Sequence, residues 1–227
     1  RLLAHQQPGD MAVLGGDDAV ALATPINAGV LPLSFGRGEH CAARIVDGTI
    51  CLGSHLPGMP ATQFALAGTT LHSSVNQMNA AAAILAVTMA GGDAEGITAG
   101  LKNFTPPPHR MAEVAVIEGV RYINDSKATN IGALEAALAG CEAPVVLIAG
   151  GRDKGSDYHL LAEVVRRKVK QLVLIGEAAP LMQSALGTLV PTTNASSMEE
   201  AVQLAQACAR AGDLVLLAPG CASFDMF

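Results

Sequence analysis

The first half of the chain alternates short apolar runs with turn-forming residues. Runs of four to six residues are separated by Gly, Asp and Pro, which is typical of short β-strands. The runs are Met11–Leu14, Ala19–Ala23, Val30–Phe35, Ala42–Val46 and Thr49–Leu52. The last two flank Asp47-Gly48, a dipeptide that accepts the positive φ of a tight hairpin turn. The Ala-rich segments Ser74–Met89 and Ala94–Asn103 follow, and we expect both to be helices.

The pattern changes after Thr105-Pro106-Pro107-Pro108, because consecutive prolines end a helix and favour an extended connector. Beyond them, a hairpin-like pattern over 113–123 precedes apolar strands that alternate with helical segments. Such alternation predicts a parallel sheet covered by helices. The strands are expected at Val145–Ala149, Gln171–Ile175 and Leu214–Ala218, and the helices at 131–139, 158–168, 178–186 and 198–210. Ser197 with Glu200 predicts a capping box at the start of the last helix.

Composition narrows the classes of function. Half of the 227 residues are apolar and 3% are aromatic, so the core is expected to consist of Ala, Val, Leu and Ile. The net charge of -6 argues against a general nucleic-acid binder, since such proteins are usually basic. No apolar run reaches the roughly 18 residues of a membrane helix, and no signal peptide is recognisable. The five scattered cysteines favour reduced core thiols in a cytoplasmic protein. The missing initiator Met and the abrupt end at Phe227 predict a fragment.

Polar side chains are concentrated where the predicted parallel strands end. Ile123 precedes Asn-Asp-Ser-Lys-Ala-Thr-Asn, Ala149 precedes Gly-Gly-Arg-Asp-Lys-Gly, and Ala218 precedes Pro-Gly-Cys-Ala-Ser. Open α/β sheets bind ligands at the carboxyl edge of the strands, so the cations and hydroxyls of these loops are expected to suit an anionic ligand. These side chains are Ser126, Lys127, Thr129, Arg152, Lys154 and Ser223. Any α/β sheet has Gly-rich loops at its strand ends, so position alone leaves ordinary turns as the alternative.

The loop Gly150–Gly155 does not match the phosphate-binding pattern G-x-x-x-x-G-K-[ST]. We therefore interpret Lys154 as a point charge for a carboxylate. Arg110, beside the prolines, is either a phosphate ligand or a surface arginine. Asn76 and Asn79 lie one helical turn apart and either contact a base edge or form an exposed polar stripe. Three histidines without metal-ligand spacing are interpreted as ordinary surface or core residues. They are His40, His55 and His72.

With these residues in hand, the chain resembles the Mur ligases of peptidoglycan synthesis, and among them the branch that adds D-glutamate. The resemblance rests on strings that occur in the family's order. They are Asn76-x-x-Asn79 followed by Ala-Ala, Pro108-His109-Arg110 with Glu113, Asn124–Asn130, Gly150–Gly155 and Cys221–Phe227. Asp125–Asn130 is the most specific string, because sister Mur ligases and folylpolyglutamate synthases carry Asp-x-Ala-His at this place.

The resemblance implies a three-domain amide ligase with an α/β fold. Residues 1–107 would be the rear part of the central ATP-binding domain, a mixed sheet with helices. Residues 108–227 would be a Rossmann-like C-terminal domain with a mainly parallel sheet, truncated at its end. The implied nucleotide contacts are Asn76, Asn79, Arg110, Asp125 and Lys127. The implied D-glutamate contacts are Thr129, Lys154, Ser223 and Phe224. Catalytic roles are implied for Arg110, Lys127 and Lys154.

The implied reaction joins D-glutamate to UDP-N-acetylmuramoyl-L-alanine through an acyl phosphate, using ATP and Mg²⁺. It would serve cell-wall synthesis, and with it cell shape and division, in the cytoplasm. The partners would be these small molecules, without nucleic acid or membrane insertion, and the enzyme is expected to be a monomer. The P-loop and magnesium ligands would lie upstream of Arg1, so this segment should hold no metal ligand and be inactive alone. Val75 departs from the family's usual His.

Other functions remain open at this point. One alternative is another Mur ligase or a folylpolyglutamate synthase-like ligase, which the string Asp125–Asn130 disfavours. The other is a non-catalytic nucleotide or amino-acid binding module.

Overall fold

A computed structural model describes residues 2–53, 61–71 and 73–222 of the chain. The chain divides into two compact units, Arg1–Thr105 and Pro106–Phe227. Among the described residues, no helix combines the length and apolar composition needed to cross a membrane.

The first unit contains a mixed sheet in the order β1-β2-β3-β4-β5. Its strands are β1 (Met11–Gly15), β2 (Leu31–Gly36), β3 (Ala43–Val46), β4 (Thr49–Leu52) and β5 (Thr62–Ala65). β1, β2 and β3 run parallel, whereas β4 is antiparallel to both of its neighbours. The helices are α1 (Ala19–Leu22), α2 (Ser74–Met89) and α3 (Ala94–Asn103), and a 3-10 turn covers Leu2–His5.

Helix α2 packs against this sheet through small and branched side chains. Ala80, Ala81, Ile84 and Leu85 are its buried residues, and they share one apolar cluster with the buried side chains of β2 to β5. The two alanines let the helix approach the sheet closely, which increases the number of dispersion contacts. Ser73 caps α2, since its Oγ accepts the Asn76 N–H at 3.2 Å.

The second unit contains a sheet in the order β10-β9-β8-β11-β7-β6. Its strands are β6 (Ala112–Ile117), β7 (Val120–Asn124), β8 (Val145–Gly150), β9 (Val169–Ile175), β10 (Thr192–Ala195) and β11 (Leu214–Leu217). All pairs are parallel except β6 with β7. The helices are α4 (Ile131–Ala139), α5 (Ala162–Lys168), α6 (Ala179–Leu186) and α7 (Met198–Cys208), and a 3-10 turn at Tyr158–Leu161 precedes α5.

Both faces of this sheet are covered, which explains the continuous apolar runs of its strands. One core cluster includes side chains of α4, α5 and α6, and a second includes Ala201 and Ala205 of α7. All six residues of the central strand β8 are buried, and the side chains from Val145 to Ala149 alternate between the two clusters. A parallel strand buried on both faces has no polar side to expose, so its apolar run is unbroken.

The predicted α/β class is confirmed, and most predicted elements occur within a few residues of their expected ends. The strand predicted at Ala19–Ala23 is wrong. Asp18 accepts N–H groups of Val20 and Ala21 at 2.8 and 3.2 Å, and this cap starts the short helix α1 instead. β5 and β10 were not predicted, because both are four-residue strands with polar positions.

The predicted capping box at the start of α7 is only half formed. Ser197 Oγ accepts the Glu200 N–H at 3.1 Å, as expected. The Glu200 carboxylate instead accepts the N–H of Ser196 at 2.7 Å, one residue further upstream.

Candidate active site

The loops that follow the parallel strands of the second unit meet at one edge of the sheet. The loop after β7 joins β11 through the Asp125 N–H, which donates to the Leu217 carbonyl at 2.8 Å. It joins the loop after β11 through the Gly220 N–H and the Ala128 carbonyl, also at 2.8 Å. The prediction that these polar loops share the carboxyl edge is confirmed.

The loop after β8 belongs to the same arrangement. The N–H of Gly150 donates to the Pro219 carbonyl at 2.9 Å, in the loop after β11. Arg152 and Ala222 exchange two backbone hydrogen bonds of 2.7 and 3.1 Å. On the other side, the Gly151 N–H donates to the Ile175 carbonyl at the end of β9. Backbone hydrogen bonds therefore fix this loop between its two neighbours.

Glycine is required where β8 enters this loop. Gly150 has a φ of 124°, a conformation that L residues rarely adopt. A Cβ atom at this position would lie 1.9 Å from the Ile175 carbonyl oxygen. The close approach of the loop to β9 thus depends on the missing side chain.

Asp153 organises the remainder of the loop that carries Lys154. Its carboxylate accepts the Tyr158 hydroxyl at 2.8 Å and the N–H groups of Gly155 and Ser156 at 2.9 and 3.4 Å. The bond from Tyr158, followed by that from Gly155, lowers the pKa of Asp153. Burial, followed by the hydrogen bond to Asp153, raises the pKa of the Tyr158 phenol. Asp153 therefore stays ionised and holds the loop, while the Lys154 side chain is exposed.

Asp153 and Tyr158 were not recognised from the sequence as supports of this loop. The signal was present, since Asp two residues before Gly is typical of a side chain that closes a turn on its own backbone. Tyr158 could not be found in this way, because its contact depends on how the 3-10 turn packs.

The segment Asn124–Asn130 alternates inward-facing and outward-facing residues. Asp125 and Ala128 are buried, Thr129 is half-buried and Lys127 is exposed. Asn130 caps α4, since its side-chain oxygen accepts the Ala133 N–H at 2.9 Å. Anchored at both ends in this way, the segment presents Lys127 to solvent at the carboxyl edge.

Asp125 is a buried carboxyl group, 8% exposed. Burial raises its pKa, because an ionised carboxylate loses hydration inside a protein. The Met111 N–H, 3.2 Å from Asp125 Oδ1, and the nearby Arg110 oppose this shift without cancelling it. The structure therefore brings the turn that carries Arg110 next to Asp125, and the Arg110 side chain itself is exposed.

In the first unit, Asn76 and Asn79 lie on the amino-terminal half of α2. Asn79 is exposed and lies at the rim of an apolar cleft of about 510 Å³ between α2 and α3. Ile84, Ile97 and Phe104 are among the residues that line this cleft. Asn76 is half-buried and does not line it. The two amides therefore have different surroundings, although they share a face of the helix.

Asp17 and Arg37 tie α2 to the carboxyl edge of its own sheet. The Asp17 carboxylate accepts the N–H groups of Arg37 at 2.9 Å and Gly38 at 3.2 Å. The Arg37 guanidinium donates to Ser74 Oγ and Gln77 Oε1, both at 3.2 Å. This network was not recognised from the sequence, although Gly16-Asp17-Asp18 follows β1 at the carboxyl edge of parallel strands.

Several predicted residues lie outside the described part of the chain. They are Ser223 and Phe224 of the predicted D-glutamate site, and His55 and His72. His40 is described, and its Nε2 lies 3.0 Å from the Gly16 carbonyl oxygen. Among the described residues, no three His, Cys, Asp or Glu side chains come together in a way that could hold a metal ion.

Comparison with known proteins agrees with this architecture. Residues 109–221 match the family model described as Mur ligase, glutamate ligase domain. The chain is 40% identical to the UDP-N-acetylmuramoylalanine--D-glutamate ligase of Geobacter metallireducens, over 100% of this chain and 50% of that protein. It is 42% identical to the protein of the same name from Desulfotalea psychrophila, over 100% of this chain and 49% of that protein. The chain thus spans about half the length of these curated relatives.

The fold is also found among solved structures. A MurF ligase from Thermotoga maritima in complex with ADP matches with a TM-score of 0.67 and 14% identity, over 95% of this chain and 51% of that chain. At this identity the match concerns the fold alone. The alignment of the whole chain with these curated relatives, together with the family match at residues 109–221, shows that the chain belongs to the Mur ligase family.

Proposed function

We propose that this chain is the ATP- and amino-acid-binding part of a ligase that adds D-glutamate to UDP-N-acetylmuramoyl-L-alanine. The observation that carries the proposal is the identity of about 40% to ligases of that name over the whole chain. Residues 1–107 are the rear part of the ATP-binding domain and 108–227 the amino-acid-binding domain. The enzyme is a cytoplasmic monomer that acts in peptidoglycan synthesis.

The reaction needs activation, because a carboxylate does not react with an amine at neutral pH. The alanyl carboxylate attacks the γ-phosphorus of ATP, which forms an acyl phosphate and releases ADP. The amine of D-glutamate then attacks the acyl carbon, loses a proton, and the tetrahedral intermediate expels phosphate. Catalysis of this kind relies on positioning and on cations near the developing negative charge.

The second unit supplies side chains suited to the amino acid. D-glutamate carries two carboxylates, and the carboxyl edge presents the exposed Lys154 and the half-buried Thr129 on the two loops that flank the loop after β11. Lys154 forms a charge-assisted hydrogen bond with one carboxylate, and Thr129 and Ser223 bind through their hydroxyls. Phe224, which lies outside the described residues, is assigned to D-glutamate on the family resemblance alone. Asp153 holds the loop that carries Lys154 in place, and this fixed position supports the proposed role of Lys154.

Residues for the nucleotide are proposed in each unit separately. Asn76 and Asn79 bind the adenine, which has apolar faces and polar edges. The exposed Asn79 amide at the rim of an apolar cleft suits such a ring. Asp125 and Lys127 bind the ribose and the neighbouring phosphate region. Arg110 binds the γ-phosphate and stabilises the charge that develops during phosphoryl transfer.

Mg²⁺ is part of the proposed reaction, but the described residues do not supply a site for it. We therefore assign the metal no ligand among the described residues and derive no step from it. Three exposed cations of the second unit, Arg110, Lys127 and Lys154, stabilise the negative charge of the reacting groups.

An amino-acid panel tests the proposal. The full-length ligase that contains this chain should release ADP with UDP-N-acetylmuramoyl-L-alanine and D-glutamate, and only weakly with L-glutamate, L-alanine or L-lysine. A preference for one of those L-amino acids would refute the proposed substrate.

The role of Lys154 has its own test. Lys154→Ala should lower kcat/KM for D-glutamate by roughly 10- to 100-fold, since a hydrogen bond to a charged group contributes about 1.5–3 kcal/mol. Arg152→Ala, which removes an exposed cation from the same loop, is the matched control and should have a small effect. Unchanged D-glutamate kinetics in Lys154→Ala would contradict the assignment.

A further inference from the structure

The turn that carries Arg110 has an unusual backbone. His109 has a φ of 64° and Met111 a φ of 47°, so two non-glycine residues in the left-handed region flank Arg110. L residues avoid this region because Cβ approaches the backbone too closely. Such a conformation persists where the surrounding structure imposes it.

The surrounding structure here is the segment Asn124–Lys127. Asn124 Nδ2 lies 3.2 Å from His109 Nδ1, and the Lys127 N–H donates to the His109 carbonyl at 3.2 Å. Asp125 Oδ1 accepts the Met111 N–H at 3.2 Å. Each left-handed residue is thus held by this segment, and Arg110 between them is exposed.

Another non-glycine residue of this unit has a positive φ, and its conformation has a local explanation. Among the described residues of the second unit, Glu118 is the remaining one, with a φ of 52°. It forms the tip of the β6–β7 hairpin with Gly119, where a two-residue turn itself requires positive φ. The turn at 109–111 precedes β6 and closes no hairpin. Its conformation depends on side chains and backbone that lie about 15 residues further along the chain.

We propose that Asn124 is a positioning residue that, together with Asp125, holds the His109–Met111 turn so that Arg110 keeps a defined position. The segment that binds the ribose region of the nucleotide then also sets where the guanidinium lies. This inference rests on the proposed role of Arg110 at the γ-phosphate. The Asn124 side chain already makes a second contact on its own loop, since its Oδ1 accepts the Ser126 N–H at 2.9 Å.

Hydrogen exchange of the 227-residue chain tests the structural half of the inference. In Asn124→Ala the amides of Lys127 and Met111, which bond to the His109 carbonyl and to Asp125, should exchange roughly fivefold faster or more, the effect of weakening a hydrogen bond by about 1 kcal/mol. Glu118→Gly, the matched change at a left-handed residue of the hairpin, should leave these amides unchanged. Equal exchange in Asn124→Ala and in the wild type would overturn the inference.

A double-mutant cycle in the full-length ligase tests the functional half. Asn124→Ala should lower kcat with ATP about threefold to tenfold and leave the KM for D-glutamate unchanged, because it acts through Arg110. In the Arg110→Ala background it should have no further effect.

The failures of the two proposals can be told apart. If Arg110→Ala lowers kcat and the loss from Asn124→Ala adds to it in full, the positioning role is overturned and the role of Arg110 stands. If Arg110→Ala leaves kcat unchanged, the proposed role of Arg110 itself is refuted. A loss of D-glutamate affinity in Asn124→Ala would show a general disturbance of the site and would also overturn the positioning role.

Discussion

Replacement of Gly150 by alanine should destabilise the second unit far more than the same change at Gly155. Both glycines have positive φ, 124° and 75°, and both lie in the loop after β8. They differ in the space around them. A Cβ at Gly155 meets nothing within 4 Å, whereas a Cβ at Gly150 lies 1.9 Å from the Ile175 carbonyl oxygen.

The magnitudes follow from this difference. For Gly155→Ala, left-handed strain of about 1–2 kcal/mol is partly offset by the lower entropy of the unfolded chain, which leaves a net cost of about 1 kcal/mol. For Gly150→Ala, β8 and β9 must separate by roughly 1 Å at their carboxyl ends, since packed interiors do not tolerate such an overlap. The strain of the φ value, the distorted backbone and the weakened Gly151–Ile175 hydrogen bond together cost about 4 kcal/mol or more.

Tyrosine fluorescence during urea unfolding is a suitable assay. The chain has no Trp, and both of its tyrosines, Tyr122 and Tyr158, lie in the second unit. The signal therefore reports that unit. Comparable urea midpoints for Gly150→Ala and Gly155→Ala would refute the reasoning, because both variants carry the strain of a positive φ and only Gly150→Ala adds the steric overlap with Ile175.

Three further predictions concern charge and capping. Asp125→Asn should stabilise the chain at pH 7. Burial raises the pKa of Asp125, so the wild type loses stability as pH rises through this raised pKa, whereas Asn stays neutral. Near pH 3, below the unfolded pKa of 3.8, the difference in urea midpoints between the two proteins should vanish. Lys170→Met should destabilise the second unit by about 2 kcal/mol at pH 7. Lys170 Nζ lies 2.5 Å from the largely buried Asp213 carboxylate, and the substitution leaves this carboxylate without its ion-pair partner.

Burial alone would raise the Asp213 pKa, but Lys170 and the Arg210 N–H lower it overall. The stabilisation by the Lys170–Asp213 pair is therefore present above pH 3.8 and is lost as pH falls through the lowered pKa. Urea titrations of the wild type and Lys170→Met at pH 7 and pH 3 check this pH dependence. Finally, Asn130→Ala should lower the free energy of unfolding by about 1 kcal/mol, because it removes the cap of α4. The loss is measured as a lower thermal midpoint. An unchanged midpoint would show that the cap does not stabilise the unit.

Most of the second unit could be predicted from local pattern. Val145–Ala149 and Gln171–Ile175 were expected as strands, since unbroken apolar runs between helices are typical of a buried parallel sheet. In the first unit the same reasoning failed at Ala19–Ala23. One capping side chain, Asp18, outweighed the apolar run there, and a four-residue window is too short for periodicity to separate the two states.

The candidate site was only partly predictable for a related reason. Lys127, Thr129 and Lys154 could be singled out because each follows a predicted strand in a short polar loop. The contact of Asn124 with His109 could not be predicted, because it joins residues that only the folding of β6 onto β7 brings together.

The sequence by itself determined the alternation of strands and helices, the polar composition of the loops and the family resemblance, because each of these depends on neighbouring residues. The tertiary structure alone decided which loops meet. The Gly220–Ala128 and Gly150–Pro219 hydrogen bonds join residues that are far apart along the chain, and they exist because β11 lies between β7 and β8. The strand order, which no local pattern specifies, therefore brings the Lys127 and Lys154 loops to one edge of the sheet.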